Sequence, residues 1–188
     1  MKLSLFAPSR LALKTRFRVH NNVAPQQEQT MPGFWHPVLR DSLSGQAELF
    51  RWGISESKMG QNSRLVFAVK IEDLVSRQSR HLLERRVIVP VEAIVYSHGG
   101  VQWQIRGQEP GALALAGVWD VDGHWRGRPV RAFRVITGPT IEGFERLGPR
   151  MPIVMQPEQE KHWLWHFTEE DAALDALEPN EQLLLEKI

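Results

Sequence analysis

At 188 residues the chain has room for one domain, or one with a small appendage, and enough length to bury a sizeable core. Its 23 basic and 22 acidic residues nearly cancel, so any polyanion site has to come from local clustering. Cysteine is absent, which excludes disulfides, thiolate metal sites and every cysteine nucleophile. Residues 1–12 carry Lys2 and Arg10 around a short apolar patch but lack a signal peptide's long apolar stretch. No later run approaches membrane-spanning length, and the chain reads as cytoplasmic. Seven Trp against one Tyr is a skewed aromatic set, in which indole serves either as core filler or as a platform for bases. Core packing is the reading for most of them.

In chain order, residues 3–6 predict a first short strand, followed by a polar, basic segment with Lys14, Arg16 and Arg18. Asn21 to Pro25 is a turn, and residues 31–38, broken by Pro and Gly, are extended or looped. Residues 48–54 read as a strand, 55–64 as a polar loop and 65–71 as a strand again. Ser79 opens a short helix over 80–86, with Arg85 and Arg86 in its last turn. The β-branched run at 87–96 predicts a buried strand pair bent at Pro90, and His98-Gly99-Gly100 turns the chain. Residues 101–106 alternate apolar and polar and complete a hairpin. Residues 112–119 are apolar on both faces, so this strand lies centrally with neighbours covering it.

Farther on, residues 121–127 read as a turn, 130–137 as a strand and 140–147 as one or two helical turns. Residues 148–152 form a rigid connector into Ile153-Val154-Met155. Pro157 suits the first position of a helix running to His166, and Thr168, with Asp171 three residues on, caps another. Leu183-Leu184-Leu185 closes the chain. Many short strands without a βαβ rhythm predict an α+β fold, a mainly antiparallel, barrel-like β core with short peripheral helices in one domain over residues 1–188.

Several of these segments together resemble the SOS response-associated peptidase (SRAP) family, whose domain covalently shields abasic sites in single-stranded DNA. Asn22-Val23-Ala24-Pro25 matches its N-V-A-P turn, and Trp52-Gly53-Ile54 is similar to its W-G-L/I strand. Arg85 to Pro90 resembles R-R-C-L-I-P, Ala116 to Asp120 resembles A-G-L-W-E, and Phe133 to Thr137 resembles F-T-I-I-T. Arg150-Met151-Pro152 with Ile153-Val154-Met155 resembles D-R-M-P-V-I-L, and Trp163-Leu164 its W-L helix. Their order and spacing cover most of residues 22–165.

The departures fall on the chemistry. The resemblance implies an N-terminal cysteine whose amine and thiol capture the abasic aldehyde as a thiazolidine, but this chain begins Met1-Lys2-Leu3, with Met1 expected to be retained. Aligning Glu72 with the glutamate of N-A-R-S-E puts Ala68 at the family's Asn and Lys70 at its Arg. Aligning Pro90 with the family's proline puts Tyr96 at the acid/base Glu of F-Y-E-W, and aligning Arg150-Met151-Pro152 puts Gly148 at the His of H-D-R-M-P. Ala68 and Gly148 can neither give nor take a proton, and an unperturbed tyrosine, with a pKa of about 10, is a poor stand-in for a carboxylic acid. No catalytic residue is therefore assigned.

For DNA, the resemblance places Arg150 near the backbone, keeps charge at Lys70 and sets Trp52 beside a bound strand; Arg85 and Arg86 add a local basic group. The alternative is that Arg150 pairs with a carboxylate to hold its connector and that Trp52 is core. His162 and His166, four apart, could face one way on a helix, but without a third ligand no metal is implied, and no cofactor-binding loop appears. Three functions stay open. The first is a non-covalent binder of single-stranded or abasic DNA linked to DNA damage. The second is an interaction protein, phage- or plasmid-derived, with a remodelled cleft. The third is residual Schiff-base chemistry through the Met1 or Lys2 amine.

Overall fold

A computed structural model describes residues 2–41, 44–56, 64–76, 79–98, 100–165 and 167–188. The first half runs β1 (Lys2–Phe6), α1 (Arg10–Arg16), β2 (Gln29–Thr30), β3 (Trp35–Leu39), β4 (Ala47–Trp52), β5 (Ile54–Glu56), β6 (Arg64–Val66), β7 (Ala68–Lys70) and α2 (Ile71–Leu74). A 3-10 turn (Arg80–Glu84) leads into β8 (Arg86–Val91), β9 (Ala93–His98), β10 (Val101–Gly107), β11 (Leu113–Trp125) and β12 (Arg128–Pro139). A second 3-10 turn (Glu145–Leu147), β13 (Arg150–Pro152), β14 (Val154–Met155), α3 (Pro157–Leu164), α4 (Glu170–Asp175) and β15 (Leu183–Lys187) finish the chain.

The fold is α+β and mainly antiparallel. Strands β12, β4, β3, β8 and β11 pair in that order, and β11 pairs back to β12, closing a five-stranded barrel. A five-stranded sheet, β15-β10-β9-β1-β2, covers it. Side chains alternate between two cores because a strand's period is two. Val87, Val89, Val91, Leu113 and Leu115 enter a cluster with Leu5, Ile94, Tyr96 and Ile105 from the covering sheet. Ile88, Ala114, Ala116 and Val118 point the other way, into a cluster with Leu13, Leu74, Leu82, Trp163 and Leu174 from the helices and the first 3-10 turn. Both faces of β8 and β11 are thus covered, which is why these strands read apolar throughout.

Several expectations need correction. The run at 87–96 is not a pair: β8 and β9 lie in different sheets, and the corner falls at Glu92, while Pro90 stays in β8 opposite Ala114. The helix after Ser79 is a 3-10 turn ending at Glu84, so Arg86 is already strand and Arg85 its C-cap. Residues 121–125 continue β11 past a one-residue bulge between Val121 and His124, and the turn is only Arg126-Gly127. The connector at 148–152 contains β13, pinned to β12. Of the helix expected over 140–147, a 3-10 turn at its end is found. Pro157 does begin α3, but α4 is capped at Glu169, not Thr168. Helices α1 and α2 were not foreseen, since Leu13 and Leu74 are their single buried residues and leave no periodic pattern. Residues 42–43, most of the loop read at 55–64, Gly99 of the expected hairpin turn, Met1 and His166 lie outside the described residues.

The W-G-I segment shows why its glycine is needed. Gly53 has φ +103, and its N–H donates to Phe133 O at 2.7 Å across the barrel; an added Cβ would meet Leu65 Cγ at 2.7 Å. The residue breaks β4 from β5 in a conformation that side chains avoid. No helix among the described residues is long and apolar enough to cross a membrane.

Candidate nucleic-acid interface

The C-terminal end of β12 gathers two of the expected residues, Lys70 and Arg150. Thr137 has Lys70 of β7 and Pro152 of β13 as register partners, and Pro139 faces Arg150. The Arg150 guanidinium grips Glu72 with both arms, at 3.1 and 2.6 Å, and donates to Thr137 O at 2.7 Å. Glu72 is in the first turn of α2, next to the strand end that carries Lys70. The hydrogen bonds from Arg150, with smaller help from Lys70, hold its carboxyl below the usual range. Arg150 is therefore positioned by a carboxylate, as the alternative reading had it, with its side chain still 26% exposed. Beside it an apolar cavity of about 180 Å³ is lined by Ile71, Ile141, Met151, Ile153, Leu177 and Leu183.

Ala68, two residues before Lys70, pairs with Val135 and lies against the first core. Tyr96, between Leu3 of β1 and Trp103 of β10, is 3% exposed, and burial pushes its phenol well above the ordinary tyrosine range. It therefore stays protonated near neutral pH. Gly148 has φ 100 and ψ −173, a region essentially closed to residues with a side chain. Its carbonyl accepts from Thr140 Oγ1 at 2.6 Å. Leu3, Phe67, Ala68, Trp103 and Ile141 pack on the core cluster that contains Tyr96, so this end of the fold is apolar.

Two expected contacts are corrected by burial. Trp52 is fully buried, stacked on Phe133 at 6.3 Å with its Nε1 donating to Phe67 O at 2.9 Å, and offers no face to a base. Arg86 points inward. It donates to the carbonyls of Trp163, Leu83 and Trp165 at 2.6, 2.7 and 2.9 Å and to Thr168 O at 3.3 Å, tying off the end of α3 from a strand. With four of its five N–H groups spent on buried carbonyls, this guanidinium is not a phosphate contact.

Arg85 instead belongs to a group that the sequence does not reveal. Its guanidinium carbon, with those of Arg40 and Arg131, lies 5.4, 5.4 and 5.8 Å from the Trp119 ring. Glu48 pairs with both Arg40 and Arg131, and Asp120 with Arg85. Trp119 is half-buried, with Phe50 edge-on at 5.4 Å. Three arginines against two carboxylates around one half-buried indole leave an excess of positive charge that suits a phosphate. The residues come from five separate segments, so only the pairs Arg85-Arg86 and Trp119-Asp120 could have hinted at the grouping. Among the described residues no cluster of metal-ligating side chains occurs.

A family model described as SOS response associated peptidase (SRAP) matches residues 5–187. The chain is 22% identical over 163 residues to the abasic site processing protein YoaM of Bacillus subtilis (strain 168), covering 80% of this chain and 68% of that protein. Among solved structures, a Bordetella bronchiseptica protein superposes with a TM-score of 0.81 at 16% identity, covering all of this chain and 99% of that one. A Bacteroides thetaiotaomicron protein gives 0.79 at 16%, covering 100% and 92%. A phage-related protein from Bordetella bronchiseptica gives 0.70 at 15%, covering 100% and 93%. The structural likenesses carry the fold alone, and the match across nearly the whole length carries the family: this chain belongs to the SRAP family.

Proposed function

We propose that this chain acts as one SRAP domain over residues 1–188 that binds single-stranded or abasic DNA without covalent capture, in the cytoplasmic response to DNA damage. The observation that carries the reading is the absence of any cysteine from a sequence whose family chemistry, by resemblance, needs a cysteine's amine and thiol together. Ala68 and Gly148 support it, because neither carries a group that can give or take a proton, and burial keeps the Tyr96 phenol protonated near neutral pH, where it cannot replace a carboxylic acid. The proposed contacts are Arg150, Lys70 and Arg85. Arg150's fork, already set for a carboxylate, also suits a phosphate, which would displace Glu72.

Fluorescence anisotropy with a labelled single-stranded oligonucleotide should show affinity falling steeply with salt. Arg150→Ala should lower the slope of log affinity against log salt by about 0.7. With abasic DNA, a denaturing gel should show no band shift in the absence of borohydride. A shift that survives without reductant refutes the non-covalent reading. A reductant-dependent shift lost on acetylating the N-terminus moves the function to Schiff-base chemistry through the terminal amine. The second reading, an interaction protein with a remodelled cleft, is favoured by the apolar cavity beside Arg150 and gains if binding is absent at low salt.

A further inference from the structure

The β11–β12 hairpin extends past the barrel. From Gly123 to Pro129 every residue is exposed, and beyond the bulge the two strands pair only with each other. Its root is fixed: Asp122 pairs with Arg51 and accepts from Ser55 N–H at 2.9 Å. Its tip is a tight two-residue turn with φ 51 at Arg126 and φ 74 at Gly127, the geometry of a type I′ hairpin. The tip is therefore a stiff arm. It carries Trp125, 63% exposed, with the Arg126 guanidinium carbon 4.5 Å above the ring.

The charges around this indole are one-sided. From Gly123 to Pro139 the sequence has Arg126, Arg128, Arg131 and Arg134 and no carboxylate. Arg131 and Arg134 are paired with Glu48 and Glu56, whereas neither Arg126 nor Arg128 has a carboxylate partner among the described residues. The residues outside that set contain no Asp or Glu at all, so none can come from there. A largely exposed Trp beneath an arginine and beside a second one matches a base flanked by phosphates. The turn holds it ready, so little ordering is needed on binding.

We propose that the hairpin tip is a second contact for single-stranded DNA, with a base stacked on Trp125 and the adjoining phosphates on Arg126 and Arg128. This rests on the DNA-binding reading above and extends it to a point outside the cleft. Arg150 lies opposite Pro139, eleven residues along β12 from Arg128, so the tip stands about 37 Å from Arg150 along the strand at a rise of about 3.4 Å per residue. One extended strand would bridge the two.

The test is anisotropy with a labelled dT20 across a salt series. Trp125→Ala should weaken binding about tenfold with little change in the salt slope, and Trp125→Phe should keep most of the affinity. The double variant Arg126→Ala/Arg128→Ala should lower the slope by about 1.4. All these residues are exposed, so folding should be unaffected, and circular dichroism checks it. If the tip variants bind dT20 like the wild type while Arg150→Ala is impaired, the arm proposal is wrong and the cleft reading stands. If the tip variants lose binding and Arg150→Ala does not, the arm stands and the cleft reading falls. A wild-type protein that does not bind dT20 at low salt overturns both.

Discussion

Lowering the pH from 7.5 to 5 should cost this protein about 2 kcal/mol of stability through one side chain, His36. His36 is fully buried in β3, with Nδ1 3.1 Å from Thr30 Oγ1 and Nε2 2.8 Å from Pro90 O. The Pro90 carbonyl can only accept, so we place the proton on Nε2 and let Nδ1 accept from the Thr30 hydroxyl. Burial lowers the imidazole pKa from 6.5 to about 4, against a smaller upward pull from the Pro90 carbonyl. Between those values the unfolded chain takes up a proton and the folded one does not. The contribution is therefore complete above about pH 6.5 and is lost as the pH falls, reaching about 3.4 kcal/mol below pH 4 at 1.36 kcal/mol per unit. Urea unfolding at pH 7.5, 6.5, 5.5 and 5 would measure it, with His36→Gln run in parallel so that the difference between the two profiles isolates this residue. Profiles that stay parallel over that range would refute the assignment of a buried neutral imidazole.

Arg86→Lys should destabilise the fold by a few kcal/mol, since an ammonium cannot satisfy four carbonyls spread over Leu83, Trp163, Trp165 and Thr168. A melting temperature within a degree of wild type would argue against this role. Arg16→Ala strips the partner from Glu160, which is 8% exposed and whose pKa is raised mainly by burial. It should cost about 3 kcal/mol at neutral pH, with much of that recovered in Arg16→Ala/Glu160→Gln, as chemical denaturation would show. No recovery in the double variant would mean that the loss is packing rather than an unpaired charge.

Features that follow from local chemistry were legible before any fold was known. The apolar runs of β8 and β11 already required central, doubly covered strands, because at a two-residue period they leave no polar face for solvent. Pro157 announced α3, and the absence of cysteine bounded the chemistry before any fold was known. Tertiary structure decided the rest. Arg85 and Arg86 are neighbours with the same side chain, yet Arg85, capping the 3-10 turn, reaches Trp119 and Asp120 at the surface, whereas Arg86, the first residue of β8, turns into the end of α3. Trp52 and Trp125 are likewise the same residue in strands, one sealed under Phe133 and the other at a hairpin tip. The Gly-bearing turn signal around Trp125 separates the two indoles locally, but nothing local separates the two guanidiniums: whether each meets solvent is set by which elements pack over it, and those come from distant parts of the chain.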